Sequence, residues 1–326
     1  MTARGEKLAA YGAWAAVCFF WGTTYLGIRI GLETLPPMLF AGVRFLTAGT
    51  ILFLFMRVLR GARLPKGREW LDQSLVGLLL LGVGNGFVVL AEQWVASGMA
   101  ALLVAASPFW VAGFERARAG GERASLRGVV GMLVGFGGLA LLVGPDIFGA
   151  NFNARYLFGM LALQAACASW SGGSVYAKHR RSEVLPLMAA GVQMLAAGLV
   201  LTLIGTVLGE WKSFNFSPRS LSALVYLILF GSIVAYGSYN YAIQKLPLSL
   251  VAMHSYINPV IAVLLGWVVL REPLGWRVMA ATGVILAGVA LVKTAPRKSA
   301  PDVRASAAPE GGNVMARAQK TCSAGF

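Results

Sequence analysis

Charged side chains interrupt the apolar stretch CFFWGTTYLGIRIGLETLPPMLFAGVRF, residues 18–45, at several positions. Arg29 lies near the end of one apolar run, and Arg44 lies inside the next. A carboxylate, Glu92, falls near the end of a later apolar run. Charges in such surroundings are costly, and they mark ion pairs, water-filled paths or binding sites for charged ligands. The chemistry they indicate is recognition or gating of a ligand.

The composition is that of an integral membrane protein. Of 326 residues, 57% are hydrophobic and 13% are charged, and the mean hydropathy is +0.70. Soluble domains carry roughly 25% charged residues. The formal net charge of +15 would indicate nucleic-acid binding in a soluble protein. Here most cations fall between apolar runs, so we expect a lipid bilayer as partner and no nucleic acid.

Ten apolar stretches have about the 20 residues that a helix needs to cross a bilayer. They are continuous apolar runs rather than alternating short segments, which favours helices over a β-barrel. The sequence therefore predicts an all-α integral membrane protein with ten transmembrane helices. The predicted spans are 8–29, 36–57, 74–94, 97–115, 125–144, 155–177, 185–208, 220–242, 247–270 and 274–293.

The distribution of Lys and Arg between alternate loops predicts the orientation of these spans. With the N-terminus in the cytoplasm, 21 of the 28 cations lie in cytoplasmic segments and six in external ones, and Arg44 lies within a span. Cytoplasmic loops carry the excess of positive charge in membrane proteins. We therefore expect both termini in the cytoplasm.

An internal repeat relates the two halves of the chain. A shift of 149 residues places residues 13–49 on residues 162–198 without gaps, and 11 of the 37 positions are identical. Arg44 then matches Gln193. Each copy contains five spans, and because five is odd the second copy must cross the membrane in the opposite direction. Such inverted repeats are typical of secondary transporters, whose substrate binds between the halves near the midplane.

The predicted organisation is a first five-helix repeat at 8–144, a second at 155–293 and a C-terminal tail at 295–326. The tail is rich in Ala, Pro, Gly and Ser and lacks apolar periodicity. We expect it to be disordered in the cytoplasm, because such a segment buries too little apolar surface to fold.

Three segments resemble the EamA branch of the drug/metabolite transporter superfamily. They read FFWGTTYLGIRIGLETLPPMLFAGVRFLTAG, AEQWVASGMAALLVAASPFW and YGSYNYAIQKLPLSLVAMHSYINPVIAVLLGWVVLREPLGW. The resemblance covers about residues 10–293, and WGTTYLGIRI and INPVIAVLLGWVVLREPL are its most specific parts. It implies ten helices in two inverted five-helix repeats, and an exporter of amino acids or other small metabolites in the bacterial inner membrane.

One segment departs from the pattern of that family. The fourth span ends in VAGFERARAGGERAS, so Glu115 and Arg116 come before the usual Gly-Glu-Arg. Two interpretations stay open: the fourth helix is short, or these charges have a role. No Walker A sequence or other enzyme motif is present, so we expect no catalysis, no ATP-driven pumping, no cofactor and no metal.

Polar and aromatic residues within the predicted spans are candidates for substrate binding or gating. Flat apolar area with a few donors and acceptors suits an amphipathic metabolite such as an amino acid. Tyr236 and Asn240 are four residues apart and share a helix face. For His254, a ligand role and a hydrogen bond to a neighbouring helix are both open. The candidates are Trp21, Arg44, Asn85, Glu92, Gln164, Trp170, Gln193, Tyr236, Asn240, His254, Tyr256 and Asn258.

Arg44 is the most demanding of these residues. It lies seven residues past Pro37, or about 10 Å into the membrane at the helical rise per residue. An unpaired cation there costs at least about 2.5 kcal/mol, so it requires a partner, water or an anionic substrate. Glu92, about 7 Å deep on the same side, is the expected partner, as a permanent pair or as a gate. Arg29, near the outer end of the first span, is expected to be an anchor at the headgroups or a gate residue.

Small residues in the fifth and tenth spans indicate close helix packing. Gly131 and Gly135 form one small-xxx-small face, and Gly283 and Ala287 form another. The same faces suit a homodimer, and the sequence leaves that alternative open. The three cysteines show no metal-binding spacing, so we expect them to be small buried or lipid-facing side chains.

The leading functional prediction is a secondary exporter of small amphipathic metabolites, amino acids or related compounds, working by alternating access. One alternative is broad-specificity efflux of drugs or quaternary cations, which often needs a membrane carboxylate to balance the cargo. Apart from residues at the edges of the spans, the carboxylates in or near the spans are Glu92 and Glu115. This scarcity disfavours cation efflux. Another alternative is a non-transporting receptor, which the inverted repeat disfavours.

Overall fold

The computed structural model describes residues 3–118, 126–148, 153–180, 182–271 and 275–293. Ten helical segments account for most of these residues, and none of the described residues forms a strand. We label the segments α1 to α10 in chain order: Ala3–Gly31, Pro37–Leu59, Arg68–Ala91, Ser97–Ala117, Leu126–Phe148, Ala154–His179, Pro186–Val207, Pro218–Lys245, Leu248–Val251 continuing after a turn as His254–Leu270, and Trp276–Lys293.

The prediction of an all-α membrane fold is confirmed. Five segments, α2, α3, α4, α7 and α8, are long and apolar enough to cross a membrane, and shorter apolar helices lie in α5, α9 and α10. Proline at the first turn starts α2, α7 and α8, where its missing N–H is not needed and its fixed φ suits a helix. The predicted tail, 295–326, lies outside the described residues.

The charges at the end of α4 lie on the helix rather than beyond it. The helix runs through Glu115 and Arg116 to Ala117, two residues past the predicted span, and at 21 residues it is the shortest of the five long apolar segments that the structure describes. Glu115 Oε1 lies 2.8 Å from His179 Nε2 at the end of α6, and Arg118 Nη1 lies 2.7 Å from the other ring nitrogen. These contacts tie the end of α4 to the end of α6.

The first helix of each repeat packs on the helices of the other repeat. Helix α1 packs along α8 and α9, whereas α6 packs along α3 and α4. We call α1, α8 and α9 the α1 bundle, and α3, α4 and α6 the α6 bundle. The remaining helices form two crossings between the repeats, α2 with α7 and α5 with α10.

The α2–α7 crossing requires glycine on both helices, at equivalent positions of the repeat. A Cβ on Gly49 would lie 2.9 Å from the backbone nitrogen of Leu195, and one on Gly198 would lie 2.6 Å from that of Leu46. The shift of 149 residues places Gly49 on Gly198 and Leu46 on Leu195, so each contact is the repeat equivalent of the other and the crossing is symmetric. Any side chain there would force the helices apart.

The α5–α10 crossing also depends on glycine. A Cβ on Gly288 would lie 2.5 Å from the backbone nitrogen of Gly135, so Gly135 contributes to packing as predicted. Gly283, predicted to lie on the packing face of α10, has no atom of another segment within 4 Å of such a Cβ. The packing face predicted for α10 is therefore wrong, because the face that meets α5 contains Gly288 and not Gly283.

Both α3 and α8 contain a π-helical segment at the same place in the repeat. The segments are Leu78–Asn85 and Leu227–Val234, separated by the repeat shift of 149 residues. Side chains of the first helix of each repeat bond to them: Trp21 Nε1 donates to Gly231 O at 3.0 Å, and Ser169 Oγ donates to Leu79 O at 2.7 Å. Such segments are frequent at functional sites.

Candidate functional site

A cavity of about 70 Å³ lies where the two bundles meet. The α1 bundle contributes residues of α1 and α9, the α6 bundle contributes residues of α3, α4 and α6, and α2 contributes Arg44. Apolar and aromatic side chains form much of its wall. The polar side chains that line it are Thr24, Tyr25, Arg44, Asn85, Ser107, His254 and Asn258. A pocket of this kind fits a small ligand that has both apolar and polar parts.

Six of the twelve candidate residues line this cavity. They are Trp21, Arg44, Asn85, Trp170, His254 and Asn258. Sequence reasoning missed Thr24, Tyr25, Ser107 and Cys167, which also line it. The repeat matches Ser107 with Asn258 and Cys167 with Cys18. These matches were the signal by which the two residues could have been found.

An aromatic cluster of five side chains borders the cavity. The ring centroid of Trp21 lies 5.2 Å from that of Trp170, 5.1 Å from Tyr239 and 5.0 Å from His254. Tyr236 stacks on Tyr239 at 6.3 Å. Trp170 Nε1 also donates to the Tyr239 hydroxyl at 3.2 Å. Because the rings come from both bundles, this cluster joins them beside the cavity.

Tyr236, Gln193 and Gln73 form a buried polar chain instead of lining the cavity. The Tyr236 hydroxyl donates to Gln193 Oε1 at 2.6 Å, and Gln193 Nε2 donates to Gln73 Oε1 at 2.6 Å. Asn240 Nδ2 donates to the carbonyl of Tyr236 at 3.1 Å. Tyr236 therefore bonds to α7, and neither Tyr236 nor Asn240 lines the cavity.

Gln164 and Tyr256 also lie outside the cavity lining. Gln164 Nε2 donates to the carbonyl of Leu103 at 3.2 Å, and its Oε1 accepts from Trp110 Nε1 at 3.3 Å. Both contacts fix α6 against α4. Tyr256 is buried in α9, and its hydroxyl has no hydrogen-bond partner in the structure.

Arg44 is 2% exposed, and its surroundings hold the guanidinium in one place. Nε donates to Ser232 Oγ at 2.9 Å, and Cζ lies 4.9 Å from the centre of the Phe45 ring. A Cβ on Gly231 would lie 2.9 Å from Nη2, so the glycine makes room for the cation. Nη1 has no hydrogen-bond partner. An open donor on a buried cation is costly unless a ligand occupies it.

Glu92 is fully buried at the end of α3. The direct hydrogen bond from Arg44 Nε goes to Ser232 on α8, and the pairing of Arg44 with Glu92 stays a prediction. The backbone carbonyl of Glu92 accepts a hydrogen bond from Arg29 Nη1. Arg29 thus joins the end of α1 to the end of α3.

Lys178 makes the equivalent contact in the second repeat. Its Nζ donates to the carbonyls of Ile243 at 2.6 Å and Leu246 at 2.9 Å, at the end of α8. Arg29 and Lys178 occupy matched positions of the repeat. Each reaches from one bundle to the C-terminal carbonyls of a helix in the other, where a cation is also favoured by the helix dipole.

These two contacts lie at opposite ends of α1. Lys245, at the end of α8, has its Nζ 3.2 Å from Glu6 Oε2 at the beginning of α1. The contact of Lys178 with the end of α8 therefore lies near Glu6, 23 residues before Arg29. At the helical rise per residue the two contacts are about 35 Å apart along α1.

His254 and Asn258 bring further polar groups to the cavity. His254 Nδ1 lies 2.8 Å from the carbonyl of Val251 and must carry a proton to bond there. In the neutral ring, Nε2 is then an acceptor. Asn258, in the amide orientation that its surroundings require, donates to the carbonyls of Cys18 and His254, each at 2.9 Å. Asn85 Oδ1 has no hydrogen-bond partner.

Comparison with known proteins gives one family. The model of the EamA-like transporter family matches twice, at residues 9–144 and 157–294. The chain is 40% identical over 288 residues to the uncharacterized inner membrane transporter YedA of Escherichia coli, with 88% of this chain and 91% of that protein covered.

More distant relatives match over a similar share of the chain. The uncharacterized transporter YoaV of Bacillus subtilis is 22% identical over 84% of this chain and 93% of its own length. A solved crystal structure aligns with a TM-score of 0.66 at 22% identity, covering 86% of this chain and 95% of the other, which supports the fold. The chain therefore belongs to the EamA-like transporter family and is a multi-pass membrane transporter.

Proposed function

We propose that this transporter exports small amphipathic metabolites, amino acids or related compounds, by alternating access. The observation that carries the proposal is the pair of equivalent contacts, Arg29 with Glu92 O and Lys178 with Ile243 O and Leu246 O, that join the bundles at opposite ends of the molecule. Between these ends lies a cavity to which both bundles contribute. In alternating access, one end opens while the other stays closed around a central site.

The structure suits a cycle in which each contact breaks in turn. When Arg29 leaves the end of α3, the bundles separate at that end and the cavity opens there. Lys178 meanwhile keeps the other end joined. With both termini in the cytoplasm, as the loop charges predict, Arg29 belongs to the external gate and Lys178 to the cytoplasmic gate. Arg29 then acts as a gate residue, one of the two roles expected for it.

The cavity lining favours amphipathic metabolites over drug-like cations. Its rings, Trp21 and Trp170, offer flat apolar area, and its amides and hydroxyls offer donors and acceptors. The Arg44 guanidinium in the wall repels a cationic cargo. We therefore assign efflux of quaternary cations second place.

Counterflow into proteoliposomes tests the proposal. Vesicles with purified protein are loaded with an unlabelled L-amino acid, and entry of the same labelled amino acid is measured for a panel of all twenty. We expect saturable exchange of a subset of the panel above that of protein-free vesicles. Exchange of tetraphenylphosphonium with none of the amino acids would instead establish cation efflux and overturn the proposed substrate class.

A further inference from the structure

We infer that Arg44 binds the carboxylate of the transported compound, and that Asn85 and His254 receive its ammonium group. The substrate class is then a zwitterion with both charges free. This inference rests on the proposed function and names the substrate class of the same cavity.

The open nitrogen of Arg44 is the first observation. The side chain is buried and lines the cavity, and Ser232 and the Phe45 ring hold the guanidinium, while Nη1 makes no hydrogen bond. A guanidinium presents its donors in a rigid fork that matches the two oxygens of a carboxylate. A carboxylate in the cavity would satisfy this donor and balance a buried charge.

The repeat supplies an internal comparison. Gln193, which occupies the equivalent position, has partners at both ends of its amide: Nε2 donates to Gln73, and Oε1 accepts from Tyr236. At the equivalent position of the second repeat, a neutral side chain thus links α7 to α3 and α8 with a partner for both amide atoms. Arg44 instead carries a charge and an open donor, as a ligand-binding group does.

The attraction between Arg44 and Glu92 does not replace this role. Glu92 attracts the guanidinium and so lowers the cost of keeping the cation buried without a ligand. Nη1 still has no hydrogen bond. An arriving carboxylate therefore finds a cation that is already positioned and has one unpaired donor.

Two acceptors in the same cavity complete the match. Asn85 Oδ1 has no hydrogen-bond partner, and a neutral His254 ring, with its proton on Nδ1, offers Nε2 as an acceptor. An ammonium group has three donors and no acceptor. The cavity is thus lined by a cation with an unpaired donor and by neutral side chains that offer acceptors, the complement of an α-amino acid.

Competition in the counterflow assay tests the inference on the unaltered protein. The labelled amino acid that exchanges fastest is challenged with its carboxamide, which lacks the anion, and its N-acetyl derivative, which lacks the cation. We expect each derivative to compete roughly 10- to 100-fold less well than the parent, the range for losing a charged hydrogen bond. Equal competition by the carboxamide would overturn the role of Arg44.

Variants at Arg44 give a second, independent readout. We expect Arg44→Gln, which copies the equivalent residue of the repeat, to raise the half-saturation concentration of the parent roughly 10- to 100-fold and to abolish the preference over the carboxamide. Arg44→Lys keeps the positive charge without the paired donors of the guanidinium, so it should raise the half-saturation concentration less than Arg44→Gln does. Arg219→Gln, which removes an exposed cation paired with Glu33, is the matched control and should leave both values unchanged.

The outcomes separate this inference from the proposed function. Exchange of amino acids with unchanged half-saturation in a folded Arg44→Gln would refute the inference and leave the export function standing. Exchange of no amino acid by the unaltered protein would refute both. If Arg44→Gln does not fold, the competition by the carboxamide still decides.

Discussion

Replacing Lys178 with Gln should open the end of the molecule that this residue holds together. The wild-type Nζ donates two hydrogen bonds, to Ile243 O and Leu246 O, across the interface between the bundles. Carbonyls exposed on opening regain water, so each bond is worth about 0.5–1.5 kcal/mol net. Two bonds give about 1–3 kcal/mol, which shifts the balance between closed and open roughly 5- to 150-fold.

The cavity contains its own reporter of this shift. Cys167 lines the cavity, so its rate of reaction with a membrane-impermeant thiol reagent measures access from one side. The assay uses vesicles of known orientation and a protein in which Cys18 and Cys322 are replaced by Ala. We expect Lys178→Gln to speed labelling from the cytoplasmic side by the factor above and to slow labelling from the external side. Arg29→Gln should have the opposite effect.

A neighbouring lysine provides the control. Lys245 is also at the end of α8, but its partner, Glu6, belongs to the same bundle. Lys245→Gln should therefore leave the labelling of Cys167 unchanged. If Lys245→Gln and Lys178→Gln accelerate labelling equally, or if neither does, the assignment of Lys178 to a gate is refuted.

Three further changes test other parts of the structure. Gly231→Ala should lower folded yield and transport, because its Cβ would lie 2.9 Å from Arg44 Nη2, whereas Gly12→Ala, with no neighbouring atom within 4 Å, should be neutral in the same measurements. Tyr236→Phe should lower the thermal stability of the detergent-solubilised protein, since a buried acceptor of Gln193 loses its donor at a cost of about 1–3 kcal/mol; an unchanged melting temperature would contradict this. Reporter domains at the C-terminus and in the loop between α5 and α6 should report cytoplasm and exterior respectively, and the same side for both would refute the orientation.

The sequence predicted the helices and the repeat better than the directions of side chains. Continuous apolar runs and a constant shift between the halves define helices whatever their rotation. The spacing of Tyr236 and Asn240 shows that they share a face, but which helix meets that face depends on packing. Depth along the helices selected Glu92 as the partner of Arg44, whereas the hydrogen bond goes to Ser232, because α8 packs on α2 at this level.

Other features of the site have little signal in a single sequence. The π-helical segments of α3 and α8 depend on backbone bonds that neighbouring helices stabilise. The contacts of Arg29 and Lys178 go to backbone carbonyls, which any residue type supplies. The matched positions of these two cations in the repeat were the available sign that they act as a pair.

The symmetric glycine crossing of α2 and α7 has a consequence for how such a chain assembles. Gly49 packs against Leu195, and Gly198 packs against Leu46. Each half of the chain therefore contributes a glycine and a leucine at equivalent positions to the crossing. This is the property of an isologous interface, in which one patch contacts its own copy around a two-fold axis. The residues that form this interface belong to α2 and α7. We therefore expect the two halves, made as separate chains, to carry matching surfaces at this crossing.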